Sequence, residues 1–295
     1  MSEADPSEIL VVEKSKKHAE RLRDVEGVQT ALVSVGSVQN ITLTRLAQNR
    51  RVLFAEGDTD FRLIRRFARA LGYQAIASGT AFTTLESGGF SGWHKVRGLA
   101  ASFQEALGFD LRIGAIFDRD YWCDEEVAYV ETELSKHIGY WHIHSCKEIE
   151  NYLLVPAAVQ RALLSSIRDK DSRYGTSTNI DLSAEEIFRD VTDPLQNKLR
   201  AQFIAKRQEF FKKTSKNPAT LAEEASQLFD TKWFDMNQRY KIVPGKKVLA
   251  DVRTVISDRY GVSLTDHRIV SSFQKVEFPK EMVELLEKLE AFRLS

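Results

Sequence analysis

Acidic residues stand directly after three apolar runs in this chain: VLFAEGDTD at 52–60, IGAIFDRD at 113–120 and SCKEIENYL at 145–153. Short apolar runs of this kind read as strands of a parallel sheet buried on both faces, and ligands of open α/β sheets bind beyond the carboxyl ends of such strands. Glu56, Asp60, Asp118, Asp120, Glu148 and Glu150 are therefore expected to converge on one crevice. Like charges a few ångströms apart raise one another's pKa or require a cation. Hard oxygen donors without a flanking Cys or His pattern point to magnesium, manganese or calcium rather than zinc. One Asp-x-Asp after a strand would carry little, because acidic residues also cap helices and solvate turns. Three such motifs in succession carry the argument.

The periodicity supports a sheet of this type. Strands are predicted over 52–57, 73–78, 111–118 and 140–146, alternating with helices over 61–71, 95–108 and 124–139, the pattern of βα units in a parallel sheet. Gly57 permits a tight turn, Asp58 is placed to cap the first helix, and Gly72 to end it. For Glu56 and Asp118 to share a crevice, the first and third strands must be neighbours, with the second outside the first; that arrangement is a topological switch point. After Pro156 the pattern turns helical. Ser183 and Glu186 fit a capping box, Pro194 and Pro279 fit first helical turns, and Gly261 fits a helix stop. Residues 1–48 read as a leader, or as the tail of a missing upstream domain, with a short apolar strand in 31–51.

The motif Glu56-Gly57-x-x-Asp60, the pair Asp118-x-Asp120 and a later glutamate together resemble the Toprim domain of topoisomerases, bacterial primases and several nucleases. With EIENYL at 148–153 and PGKK at 244–247, the chain looks most like the carboxyl-terminal region of the OLD (overcoming lysogenization defect) nucleases. The resemblance covers residues 49–155 well and the remainder by one short motif. It implies a Toprim-like, doubly wound α/β catalytic domain over 49–155 and an appended helical domain over 156–295. It also implies two divalent metal ions for DNA cleavage, held by Glu56, Asp60, Asp118 and Asp120 with Glu148 or Glu150, and a lysine, Lys246 or Lys247, supplied by the helical region. The family usually joins this region to an amino-terminal ATPase, which would make an ATPase domain a partner on a longer chain. No G-x-x-x-x-G-K-[ST] phosphate loop occurs here, so the chain is either a fragment or a stand-alone relative.

Composition narrows the alternatives. A hydrophobic content of 43% with 28% charged residues describes a globular protein, and 295 residues suffice for about two domains. No apolar run reaches membrane-spanning length and the first residues lack a secretory core, so a cytoplasmic location is expected. Two cysteines, Cys123 and Cys146, are too few for a disulfide framework. The net charge of zero is unusual for a nucleic-acid enzyme, but it hides a basic run. Residues 195–216 carry Lys198, Arg200, Lys206, Arg207, Lys212, Lys213 and Lys216 against one acidic residue, with Leu195, Leu199, Phe203 and Phe210 near helical spacing. Such a helix either tracks a phosphate backbone, through Lys206, Arg207, Lys212 and Lys213, or is a solvated face. The loop at 86–95 offers Ser91 and Gly92 for close approach to a phosphate, or is simply a turn. His142, His144 and Cys146 share one strand face at period two, and core hydrogen bonds are the expected use of such a set rather than metal ligation.

These readings converge on a metal-dependent endonuclease that cuts or nicks DNA by two-metal phosphodiester hydrolysis, the ions about 3.5–4 Å apart. Glu56 and the Asp118/Asp120 pair are the principal ligands, with Asp60 and Glu150 completing the set, and Lys246 or Lys247 stabilises developing charge. A primase-like or topoisomerase-like reaction is the first rival; nothing in the chain is large enough for a strand gate. The second rival is a non-catalytic metal-binding module that binds nucleic acid or a protein partner. The oligomeric state stays open.

Overall fold

The computed structural model describes residues 10–11, 20–21, 50–88, 93–94, 96 and 111–295. The chain divides into two compact units, Met1–Arg50 and Arg51–Ser295. In the first, β1 (Leu10–Val11) pairs antiparallel with β2 (Glu20–Arg21). The expected strand within 31–51 and the helix over 95–108 lie outside the described residues, apart from Arg50 and Arg51 and from Val96. No helix of the described residues is long and apolar enough to cross a membrane.

The second unit is a mixed α/β structure around a four-stranded parallel sheet: β3 (Arg51–Ala55), β4 (Thr83–Glu86), β5 (Arg112–Phe117) and β6 (Tyr140–Ile143) in the order β4-β3-β5-β6. β3 and β5 are neighbours, with Val52 opposite Ile113 and Phe54 opposite Ala115, and β4 lies outside β3. The chain thus winds one way from β3 to β4 and the other way from β5 to β6, which puts the switch point at the ends of β3 and β5. Along β3, Leu53 and Ala55 join the large core while Val52 and Phe54 face away from it, all four buried, as the period of two requires.

Three sequence expectations are corrected. YQAIAS at 73–78 is not a strand: Gln74–Ala77 form a short helix, α2, after α1 (Asp58–Leu71). Gly72, at φ 89°, ends α1, and Tyr73 N–H donates to the Ala68 carbonyl, so Ile76 and Ala77 are buried without any strand pairing. The second strand is instead the polar TTLE of β4; an edge strand half open to solvent needs β-branched residues but no apolar run. Asp58 does not cap α1: Gly57 is the cap residue, and Asp60, three residues on, accepts the Gly57 N–H at 3.1 Å. The fourth strand stops at Ile143 rather than running to residue 146, and Ile149–Leu153 form a 3₁₀ turn.

The remaining helices are α3 (Asp124–Leu134), α4 (Pro156–Tyr174), α5 (Ala184–Thr192), α6 (Gln196–Phe211), α7 (Pro218–Phe234), α8 (Met236–Ile242), α9 (Gly245–Tyr260), α10 (Asp266–Ser271) and α11 (Lys280–Leu294). Ser183 and Glu186 form the capping box of α5, and Gly261, at φ 63°, ends α9. Pro194 belongs to a 3₁₀ turn, Asp193–Leu195, that leads into α6, and Pro279 is the cap residue of α11. The boundary expected near residue 155 falls inside this unit, because one hydrophobic core joins Leu53 and Ile116 of the sheet to Leu163, Val252 and Leu289 of the helices. The last helix reaches the sheet directly. Phe292 stacks on Phe82 at 5.8 Å and on Tyr140 at 5.4 Å between ring centroids. Gly114 on β5 makes room for it, since a Cβ there would lie 3.1 Å from both the Phe292 and Tyr140 rings.

A helix appended as a separate domain would tolerate loss of that ring. We expect Phe292→Ala to cost about 3–5 kcal/mol, the usual range for a buried aromatic, in one cooperative urea transition. A loss below about 1 kcal/mol would detach α11 from the sheet core.

Candidate functional site

The six acidic residues gather at the switch point from three segments. Glu56 follows β3, Asp118 and Asp120 follow β5, and Glu148 and Glu150 lie at the start of the 3₁₀ turn. Asp60, on the first turn of α1, is buried with one oxygen on the Gly57 N–H and the other 3.3 Å from the Thr59 hydroxyl. Asp118 accepts the Ile149 N–H at 3.0 Å, which ties the end of β5 to the 3₁₀ turn. Asp120 adopts φ 48°, in the left-handed region, and its N–H donates to the Lys147 carbonyl.

The electrostatics are those of a crowd short of cations. Burial raises the Asp118 pKa to about 9, with Asp60, Glu56, Glu150 and Glu148 adding to the effect. Glu56 is raised by burial and then by Asp120 and Asp60. Asp60 and Glu150 are likewise raised, by burial first. Among the described residues, two lysines answer the negative charge. Lys147 Nζ bridges Asp120 at 2.9 Å and Glu148 at 2.8 Å; burial alone would lower its pKa, but those two carboxylates carry it above the ordinary lysine range. Lys246 Nζ lies 3.8 Å from Glu150 and lowers the pKa values of Glu56, Asp60 and Glu150. Lys247 turns away to pair with Asp251 on its own helix at 2.6 Å.

Lys246 arrives here through a close backbone contact. Gly245, the first residue of α9, packs against Asn151 so tightly that a Cβ would lie 2.7 Å from the Asn151 N and Oδ1. Asn151 Nδ2 donates to the Tyr240 and Val243 carbonyls at 2.6 and 2.8 Å, and its Oδ1 accepts the Glu148 N–H. The Lys246 N–H in turn donates to Glu148 at 2.9 Å. Sequence reading has no signal for Asn151 as the joint between the two segments, nor for Lys147 as a bridge. A buried asparagine two residues into an acidic turn, and the lysine just before that turn, are the available hints.

The donor set is all oxygen and exceeds its cationic partners, so hard divalent cations fit it. Among the described residues, however, the one group of three or more His, Cys, Asp or Glu ligand atoms within 4.8 Å of one another is His142, His144 and Glu281, which lies outside the crevice. The crevice carboxylates stand farther apart than a closed cage. The expected core hydrogen bonds of the strand-end histidines are present, His144 Nδ1 lying 3.2 Å from His142 Nε2 and 3.1 Å from the Tyr152 hydroxyl.

The basic helix is less free than its sequence suggests. Lys206 faces Glu126 at 3.6 Å and Glu209 at 3.4 Å, while Arg207 lies 3.5 Å from Glu125 and from Glu224. Both therefore tie α6 to α3, and Arg207 also ties it to α7. Lys212 and Lys213 follow the end of α6 and are exposed. Ser91 and Gly92 lie outside the described residues. Comparison with protein-family models, curated proteins and solved structures gives no match for the chain.

In metal-free protein the folded state keeps the Asp118 proton that the unfolded chain, with an aspartate pKa of about 3.9, has released. Stability should therefore fall as pH rises from about 4 towards 9. Thermal melts in EDTA are expected to show that decline, and Asp118→Asn to flatten it; an unchanged decline in the variant would exclude Asp118 as its source. Gly245→Ala is expected to cost about 1–3 kcal/mol by overpacking against Asn151, read by denaturant midpoint. A neutral result would mean the close approach is absent in solution.

Proposed function

We propose that the chain is a divalent-metal-dependent nuclease of Toprim type that hydrolyses phosphodiester bonds in DNA. The observation that carries this reading is the convergence of Glu56, Asp60, Asp118, Asp120, Glu148 and Glu150 on one switch point, with Lys246 brought in from a distant helix. The neighbouring of the first and third strands supports the Toprim assignment, and the raised pKa values of the strand-end carboxylates support cation binding. When bound, divalent cations polarise the phosphate and make a water more acidic.

The residues divide by what already neutralises them. Asp120 and Glu148 share Lys147, whereas Glu56, Asp118 and Glu150 are crowded by other carboxylates, with Lys246 the lysine that, among the described residues, reaches Glu56 and Glu150. That division supports assigning the principal cation-holding role to Glu56, Asp118 and Glu150. Asp60 spends both oxygens on local bonds and shapes the elbow as much as the donor set. The Lys246 ammonium is 70% exposed and stands at the mouth of the crevice, where it can meet charge that develops on a phosphate in the transition state. Glu125, Glu126 and Glu224 occupy the bases at 206 and 207, which leaves Lys212 and Lys213 as the better backbone contacts on that helix.

Nicking of supercoiled plasmid with magnesium or manganese tests the reading. The wild-type chain should cut, Asp118→Ala should not, and Lys246→Ala should cut about a hundredfold or more slowly with DNA affinity retained. Lys247→Ala should cut at the wild-type rate. A chain that binds metal by calorimetry yet leaves plasmid intact is the non-catalytic module instead. For DNA binding, Lys212→Gln with Lys213→Gln is expected to reduce the slope of log affinity on log salt by roughly one per contact, and Lys206→Gln with Arg207→Gln by less. Equal slopes in wild type and the first variant would return the helix end to solvent.

A further inference from the structure

We propose a second, separate metal site, for a transition-metal dication such as Zn²⁺, formed by His142, His144 and Glu281, which fastens the first turn of α11 to the end of β6. The three side chains come from two distant parts of the chain. His142 belongs to β6, His144 follows it by two residues on the same face, and Glu281 is on the first turn of α11. Their ligand atoms all lie within 4.8 Å of one another. His142 Nε2 is 3.2 Å from His144 Nδ1 and 3.3 Å from Glu281 Oε1. Donors about 2.0–2.1 Å from a tetrahedral ion stand roughly 3.3–3.4 Å apart, so both separations from His142 suit edges of a coordination tetrahedron, and the third pair, His144 with Glu281, lies within 4.8 Å.

Hydrogen bonding alone serves the cluster poorly. A neutral imidazole has one N–H, and His142 Nε2 stands within hydrogen-bonding distance of both the Glu281 carboxylate and His144 Nδ1, so its one hydrogen can serve only one of them. His144 is 1% exposed, and burial disfavours its charged form, which suits a neutral imidazole donor. Glu281 is ionised: burial works against it, but bonds from His142 and from Ser145 N–H and hydroxyl bring its pKa to about 2. Among the described residues no lysine or arginine pairs with Glu281, whose carboxylate is met by the Ser145 N–H and hydroxyl and by His142. Nitrogen donors with one carboxylate select zinc, cobalt or nickel over the hard cations suited to the strand-end crevice. His142 and Glu281 line a cleft of about 730 Å³ that also reaches Tyr152 and Lys288, so an ion has a path in and room for a water as fourth ligand. The Tyr152 hydroxyl, 3.1 Å from His144 Nδ1, can orient that ring from the other side.

The test uses the full chain, stripped with EDTA and titrated with Co²⁺ and Zn²⁺. With excess Mg²⁺ present to occupy the hard-oxygen crevice, the wild type should take up one equivalent of Co²⁺ with visible d–d absorption, lose it to Zn²⁺, and melt at a higher temperature with Zn²⁺ added. His142→Gln and Glu281→Gln should each weaken Zn²⁺ binding by at least the roughly 10–100-fold typical of losing an outer partner and abolish the thermal gain. Asp118→Asn, in the separate crevice, should bind Zn²⁺ as the wild type does. Circular dichroism checks each fold. In Glu281→Gln the single amide oxygen can still accept the Ser145 N–H, while the Ser145 hydroxyl, which bonds to the other carboxylate oxygen, can turn to accept from the NH₂; His142→Gln decides if that variant is misfolded. A wild type that takes up no Co²⁺ or Zn²⁺, or a folded His142→Gln chain that binds as tightly as wild type, overturns the site and leaves a hydrogen-bonded histidine pair.

Discussion

Asn151 is the interaction on which the candidate site depends. Its amide nitrogen serves two backbone carbonyls before α9, its oxygen holds the start of the acidic 3₁₀ turn, and Gly245 rests against it with no space for a side chain. A buried amide that makes all these bonds is a strong constraint, because removing it would leave two carbonyls and one N–H without partners in a dry place. Through it the helical half and the sheet become one body at the carboxyl ends of the strands. Lys246 and Glu148 meet as a result, although they are ninety-eight residues apart.

The second constraint is charge. Burial keeps Glu56, Asp60, Asp118 and Glu150 from ionising freely, and each that does ionise discourages the next. Lys147 and Lys246 relieve part of this and no more. Carboxylates that are already buried and preoriented need little rearrangement to accept a cation. The same excess charge makes the metal-free state less stable as pH rises. Stability and the proposed activity therefore oppose one another at the same residues, a common condition of functional sites.

The strand-end acids are legible in the sequence by position, and the strand order by the need to bring Glu56 and Asp118 together. Both follow from the direction of parallel strands, a local and strongly patterned property. The error at 73–78 has an equally physical origin: a short apolar run is buried by a helix as readily as by a sheet, and the true edge strand, TTLE, announces itself only by β-branched residues. The basic run is recognisable as a helix, but its charges cannot be weighed without knowing that Glu125, Glu126 and Glu224 lie across from them.

What the sequence determined by itself was the set of parts: apolar strands ending in carboxylates, capped helices, a Pro-Gly-Lys-Lys turn and a pair of histidines at period two. These are short-range matters of propensity, pattern and capping, and they depend on neighbours a few residues away. The tertiary structure alone decided which parts meet. It chose Lys246 over Lys247, because the first turn of α9 presents one to Glu150 and the other to Asp251. It put Glu281 rather than Cys146 beside the two histidines, because α11 packs its first turn against the end of β6. Contacts across a hundred residues are set by how helices fill the space around a sheet, and no local pattern encodes that packing.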